Sequence, residues 1–123
     1  MTPPTHEDAT LMVQLAQWLT SSGAFDDANW LFGNPDVSDY QTFIERNPPG
    51  SAGFGKAFKV CAVYETIGTL YKHQLINEEL LFDWLAPANI WNVVAPFALG
   101  QREAIDQPRL FENFEALATA SEG

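Results

Sequence analysis

The most suggestive chemical pattern in the sequence is the glycine-rich stretch at residues 50–56 (GSAGFGK), which fits the G-x-x-x-x-G-K spacing of a phosphate-binding loop. In such a loop, backbone N–H groups and the start of the following helix hold the phosphate oxygens. Two required parts are missing. The next residue is Ala57, where magnesium binding needs a Ser or Thr hydroxyl, and residues 45–49 cannot form the buried strand that precedes such a loop. The stretch is therefore predicted to be a loop that enters a helix.

Residues that could bind a metal or act as a nucleophile are few and scattered. His6 and His73 are far apart in the sequence, and Cys61 has no second cysteine at CxxC spacing. The acidic residues between positions 26 and 39 lack the pattern of a calcium loop and are simpler to explain as helix starts. Cys61 lies on the apolar face of a predicted helix, where a core role is expected. We predict no catalytic residue, no metal site and no cofactor, and hence no enzyme.

Two charged residues, Glu65 and Arg102, occupy positions that suggest partial burial. Glu65 lies at the edge of the apolar arc of a long predicted helix, where an unpaired carboxylate would be strongly destabilising. Arg102 lies on the same side of a later helix as Trp91, and an antiparallel arrangement could bring its guanidinium to Glu65. The pair would be either a structural ion pair or a polar spot that orients a ligand in an apolar groove. With Tyr64, Gly68 and Trp91, these two are the candidate binding residues.

Helices must position these residues, because apolar side chains recur at helical spacing and no alternating β-branched run indicates a strand. The longest predicted helix covers roughly residues 54–73. Its apolar residues occupy more than half of the circumference, as in a helix with neighbours on several sides. Gly68 lies on this apolar face. Because glycine in a helix costs roughly 1 kcal/mol relative to alanine, close approach of another backbone is the expected reason for it.

Capping residues divide the N-terminal part of the chain into three shorter helices. Thr5 or Asp8 can cap the first, and Thr5-x-x-Asp8 resembles a capping box. This helix ends where Gly23 suits the left-handed conformation. A second is predicted over residues 24–32, and a third begins at Asp36 or Ser38.

The C-terminal part is divided in the same way. Asn77 is a good N-cap for a helix that Pro87 closes. The next helix is predicted over residues 89–102, with Pro96 expected to kink or divide it. Pro108 suits the first position of a last helix.

Length and composition limit the fold class. The 123 residues carry a net charge of −10 and 13% aromatic residues, which fits one all-α domain over residues 1–123. We predict a single compact bundle of six or seven helices around the central helix near 54–73, with residues 1–4 and 118–123 frayed. No segment reaches the roughly 18 apolar residues of a membrane span, and the N-terminus does not resemble a signal peptide. With one cysteine, the cytoplasm is the expected compartment.

Part of the chain also resembles a known family of small bacterial helical proteins, described only as a domain of unknown function. The residues that carry the resemblance are Val63-Tyr64-Glu65-x-Ile67-Gly68-x-Leu70, Leu75-Ile76 with Leu80 and Asp83, Ile90-Trp91, Pro96 and Arg102. The resemblance covers about residues 59–117. It implies helices, and it implies no known activity, catalytic residue or cofactor. It makes Glu65, Gly68, Trp91 and Arg102 the shared elements, either for packing or for binding.

Three functions are compatible with these observations. The first is a non-enzymatic, acidic protein-interaction module that binds another protein or, as a homodimer, a second copy of itself. The second is a small-molecule-binding protein that holds a small apolar ligand in a pocket between the central helix and the Trp91 helix. The third is an acidic antagonist of a basic protein, of the immunity or nucleic-acid-mimic type. Neither a nucleic acid nor a membrane is an expected partner, because binding phosphates requires a basic surface.

Overall fold

A computed structural model describes residues 2–122, and in this part of the chain every regular element is helical. This confirms the predicted all-α class and the predicted number of helices. The seven α-helices are α1 His6–Ser21, α2 Ala24–Phe32, α3 Tyr40–Arg46, α4 Ala52–Lys72, α5 Glu78–Trp84, α6 Pro87–Ala104 and α7 Glu112–Glu122, and a 3-10 helix covers Pro35–Ser38.

Helix α4 is the centre of the bundle, as its broad apolar surface predicted. It packs most extensively against α7 and α2, and it also contacts α6. Ala57, Val60, Cys61 and Ile67 are fully buried in it. The helix begins two residues earlier than expected because Ser51 caps it, accepting a hydrogen bond from the backbone N–H of Phe54 at 3.3 Å.

The first three helices follow the capping signals in the sequence, with one difference. Thr5 forms a capping box with Asp8 at the start of α1, and Gly23 has a φ of 80° between α1 and α2. The third helix begins later than predicted, because Asp39 rather than Asp36 or Ser38 caps it. The expected cap residues belong to the preceding 3-10 helix.

The C-terminal helices differ from prediction in two ways. Helix α6 is continuous through Pro96, so of the two predicted outcomes, a kink or a division, the division is wrong. The carbonyl left without its helical partner belongs to Asn92, an exposed residue where water can satisfy it. Helix α7 begins at Glu112 rather than at Pro108.

The two ends of the chain differ in helical structure. Residues 2–4 precede α1 without helical structure, whereas α7 continues to Glu122. Leu117 and Ala118 anchor this helix, since both are buried in the core. The prediction of a frayed tail is therefore wrong for residues 118–122, and Met1 and Gly123 lie outside the described residues. No helix among residues 2–122 is both long and apolar enough to cross a bilayer.

Helices α4 and α6 both end in a Schellman motif whose left-handed residue is not glycine. After α4, Gln74 has a φ of 59°, and the N–H of Leu75 donates to the carbonyl of Leu70 at 2.9 Å. After α6, Asp106 has a φ of 53°, and the N–H of Gln107 donates to the carbonyl of Arg102 at 2.9 Å. A side chain with a Cβ is strained in this conformation.

We expect Gln74→Gly to stabilise the protein by about 0.5–1 kcal/mol, because glycine removes the strain of the left-handed conformation. Urea unfolding followed by circular dichroism measures the change. Gln74→Ala is the matched control: it keeps the Cβ and should give no gain. Equal stability of the two variants would show that the backbone at this position stores no strain.

Candidate functional site

The five candidate binding residues surround one short segment, residues 110–115, where the chain enters α7. Glu65, Tyr64 and Gly68 approach it from α4, and Trp91 and Arg102 approach it from α6. We call this stretch of chain the 110–115 segment. The structure gives each of these five residues a contact with the same stretch of chain.

Glu65 caps the N-terminus of α7 from another helix. Its Oε1 accepts hydrogen bonds from the backbone N–H groups of Asn113 and Phe114, both at 2.9 Å. Because α7 begins at Glu112, these are its second and third residues, whose N–H groups a capping side chain normally satisfies. The residue at the N-cap position is Phe111, which has a φ of 59° and no polar side-chain atom. The carboxylate of Glu65 replaces the missing cap and places negative charge at the positive end of the helix.

Gly68 and Thr69 complete this contact on the next turn of α4. A Cβ on Gly68 would overlap the backbone carbonyl of Asn113 and lie 3.1 Å from the backbone nitrogen of Phe114. The close backbone approach predicted at Gly68 is therefore present. The hydroxyl of Thr69 accepts a hydrogen bond from the side-chain amide of Asn113 at 3.2 Å and donates to the carbonyl of Glu65 at 2.9 Å.

Arg102 holds the other side of the same segment. Its Nε donates to the carbonyl of Leu110 at 2.7 Å, and a terminal guanidinium nitrogen lies 2.9 Å from Oε1 of Glu115. Its guanidinium carbon lies 5.9 Å from the centroid of the Trp91 ring. The predicted contact between Arg102 and Glu65 is wrong, because α7 packs against both α4 and α6 and satisfies each charged group separately.

The side chain of Phe114 fills the space between α4 and α6. It is fully buried, stacked on Tyr64 at a centroid distance of 5.2 Å and in edge contact with Trp91 at 5.0 Å. A closed ligand pocket between these two helices would need the same space. Burial also raises the pKa of Tyr64 to about 12, so its phenol stays protonated.

Two other residues considered for chemistry, Cys61 and Lys56, are in surroundings that favour a structural role. Cys61 is fully buried, and burial, followed by the nearby charge of Glu65, raises the pKa of its thiol, which disfavours the reactive thiolate. Lys56 of the glycine-rich stretch lies 3.4 Å from Oδ1 of Asp27. No group of three His, Cys, Asp or Glu side chains within residues 2–122 is arranged to hold a metal ion.

A second site, absent from the sequence analysis, is an open groove of about 450 Å³ between α2 and the junction of α5 and α6. We call it the aromatic groove. Phe25 and Phe32 of α2 are 39% and 51% exposed. The residues that line the groove are Phe25, Ala28, Asn29, Phe32, Tyr64, Trp84, Leu85, Ala86, Asn89 and Ile90. The sequence of α2 does contain a signal for this groove. Ala24 and Leu31 lie on one face of the helix and are buried, and two phenylalanines lie on another face. The helix therefore has more apolar surface than a single packing interface would cover.

An ion cluster on the far side of α2 fixes this wall of the groove. The buried carboxylate of Asp27 lies 3.4 Å from Nζ of Lys56 and 3.0 Å from Nζ of Lys59. Lys59 also donates to the carbonyl of Ser22 at 3.0 Å. Asp27 follows Phe25 by two residues, so the two side chains point in nearly opposite directions around the helix. The lysines therefore tie α2 to α4 without occupying the groove.

We expect Gly68→Ala to destabilise the protein by about 1–3 kcal/mol, because the new methyl group would overlap the backbone of Asn113. Gly55→Ala is the matched control in the same helix, since nothing lies within 4 Å of a Cβ there. That change should stabilise by up to about 1 kcal/mol through helix propensity. Chemical unfolding of both variants measures the difference, and a gain in stability for Gly68→Ala would contradict the close contact.

We expect Glu65→Ala to cost about 1–2 kcal/mol of unfolding free energy, because the N–H groups of Asn113 and Phe114 lose their acceptor. Glu65→Gln should cost less, since an amide oxygen can still accept. Glu103→Ala, at an exposed acid of α6, is the control and should stay within about 0.5 kcal/mol of the wild type. If Glu65→Ala and Glu103→Ala unfolded alike, the cap would contribute nothing.

Comparison with known proteins places the chain in a family. No curated protein and no solved structure gave a match. A family model does match, over residues 6–121, which covers nearly the whole chain and extends well beyond the 59–117 suggested by the motifs. The matched region includes α1 to α3 as well as the α4–α7 contact. The chain belongs to the family described as Domain of unknown function (DUF4760).

Proposed function

We propose that this protein is a non-enzymatic protein-interaction module that binds a segment of a partner protein in the aromatic groove. The observation that carries the proposal is the exposure of Phe25 and Phe32, two large apolar side chains seven residues apart on one helix of nine residues. Exposed apolar surface concentrated at a groove is typical of a binding surface, whereas single exposed apolar residues are normal.

The groove is formed by parts of the bundle that are already fixed, which supports a binding role. The ion cluster around Asp27 holds the α2 wall, and the ring of Tyr64 in the groove lining is stacked on Phe114 in the core. A partner that binds such a surface does not have to order it first, so less of the contact energy is lost.

The dimensions and polar groups of the groove suit a helical segment. Phe25 and Phe32 are separated by seven residues of α2, or about 10.5 Å along the axis. A partner helix with apolar residues at i, i+4 and i+7 presents anchors over the same length. Within residues 2–122 the side-chain amides of Asn29 and Asn89, both in the lining, have no intramolecular hydrogen bond, so they are available to polar groups of a partner.

The alternative functions have less support. A second copy of the chain would bring together two molecules of net charge −10, which disfavours self-association. A small apolar ligand between α4 and α6 would compete with Phe114 for space. The cytoplasm remains the proposed compartment, since the single cysteine is a free, buried thiol.

We expect a photo-crosslinking amino acid placed at position 32 to form a specific product in cells that produce the protein, because Phe32 lines the proposed contact surface. The same amino acid at position 105 is the control, as Ile105 is also 51% exposed but lies at the other end of α6. Gel electrophoresis and mass spectrometry identify the product, and a mass of twice the chain would indicate a second copy.

Competition makes this result specific to the groove. Excess wild-type protein should suppress the product, whereas excess Phe25→Ser/Phe32→Ser protein should not. The purified partner should then bind the double variant at least about tenfold more weakly than the wild type. The matched pair Leu99→Ser/Ile105→Ser, which also removes two exposed apolar side chains, should bind normally. A product that forms equally at positions 32 and 105, or no product at all, would overturn the proposal.

A further inference from the structure

We infer that the aromatic groove selects a basic amphipathic helix, with apolar residues on the face that enters the groove and Lys or Arg residues along its flanks. This inference rests on the proposed function and adds the chemistry of the partner. It is carried by the distribution of charge over the elements that form the groove.

Both walls of the groove come from stretches of the chain that contain no Lys or Arg. The α2 wall lies within residues 1–45, which hold seven acidic residues and no basic one. The wall formed by α5 and the start of α6 lies within residues 73–101, which hold three acidic residues and again no basic one. All six basic residues of the protein fall within residues 46–72 and 102–109.

Most of these basic residues are already paired within the molecule. Lys56 and Lys59 pair with Asp27, as described above, and Arg46 lies 3.0 Å from Asp36. Arg102 and Arg109 pair with Glu115 and Glu112, at 2.9 and 2.8 Å. In the described part of the chain, Lys72 alone has no ion-pair partner, and it belongs to a different groove, between α4 and α7. The protein therefore has little free positive charge with which to offset its acidic surface.

Apart from Asp27, which is buried and paired with lysines, the acids of α2 and α5 that lie next to lining residues in the sequence are exposed. Asp26 follows Phe25 on one wall, and Asp83 precedes Trp84 on the other, with Glu79 one turn earlier on the same helix. None of the ten lining residues is charged. The surface thus combines an uncharged, largely apolar floor with two walls, α2 on one side and α5 with the start of α6 on the other, that carry exposed acids and no Lys or Arg. We call these acids, Asp26 on one wall and Glu79 and Asp83 on the other, the acidic margins.

This combination discriminates between partners. A helix with Lys or Arg on its flanks gains favourable interactions with both margins while its apolar residues enter the groove. An acidic helix, an anionic membrane surface or a second copy of this chain would meet repulsion at the same margins.

An unbiased peptide selection tests the inference. A displayed library of random peptides of about four helical turns is selected for binding to the folded protein, and every enriched peptide is then tested for binding to Phe25→Ser/Phe32→Ser. Circular dichroism first establishes that this variant is folded. We expect the enriched peptides to contain more Lys and Arg than Asp and Glu, with apolar residues spaced i, i+4 and i+7. Their binding, measured by fluorescence anisotropy, should weaken with added salt and by at least about tenfold in the double variant.

The possible outcomes separate the two proposals. Enriched peptides that need Phe25 and Phe32 but are neutral or acidic would overturn the basic-helix inference and leave the groove as the binding surface. Basic peptides that bind the double variant as well as the wild type would also overturn it, because they would recognise the acidic surface in general. If no peptide distinguishes wild type from variant, both the inference and the proposed groove fail.

Discussion

The carboxylate of Glu65 accepts two backbone hydrogen bonds at the start of α7, and the arrangement of the bundle around α4 depends on this contact. Helix α7 has no capping side chain at its own N-terminus, because a buried phenylalanine occupies the N-cap position. The cap must therefore come from elsewhere, and it can reach the helix only if the two backbones approach closely. Gly68, three residues after Glu65, permits that approach. One acid and one glycine on a single turn of α4 thus determine where α7 begins.

The same contact connects the core to the aromatic groove. Once the start of α7 is fixed, Phe114 is held between Tyr64 and Trp91, and the ring of Tyr64 is held in turn where it lines the groove. On the other side of α4, the ion cluster at Asp27 fixes α2. The surface proposed to bind a partner is therefore supported by two polar contacts to the central helix. Burying charged groups is costly unless they are paired, and each of these groups is paired.

The sequence predicted the helices and the candidate residues better than it predicted their neighbours. Periodicity identified α4 as central, and the cost of a glycine in a helix indicated a close backbone approach at Gly68. Neither argument reveals which helix makes the approach. Glu65 and Arg102 seemed to pair because each needed an opposite charge or a donor. In the fold, backbone N–H groups serve Glu65, while a backbone carbonyl and the carboxylate of Glu115 serve Arg102. The backbone partners have no signature in the sequence.

The aromatic groove was missed for a related reason. A pattern of apolar residues shows that a face is apolar, but it does not show whether another part of the chain covers that face. Helix α2 is a clear example, since Leu31 is buried and the adjacent Phe32 is half exposed. Only the packed structure shows that the bundle uses α2 on the side of Asp27 and leaves the side of Phe25 open.

The distribution of charge gives a physical reason for the difference between the packed side of α2, at Asp27, and its open side, at Phe25. The bundle uses five of its six basic residues in ion pairs on α3, α4, α6 and the entry to α7, where they hold elements together. Residues 1–45 and 73–101, which include the groove walls, contain no Lys or Arg. Asp26, Glu79 and Asp83 in these stretches are exposed, whereas Asp27 is buried and paired with Lys56 and Lys59. A net charge of −10 is usually explained by solubility alone. In this protein the stretches of chain that form the groove walls carry exposed acids and no Lys or Arg, a distribution that would favour the proposed basic partner and oppose association between identical copies.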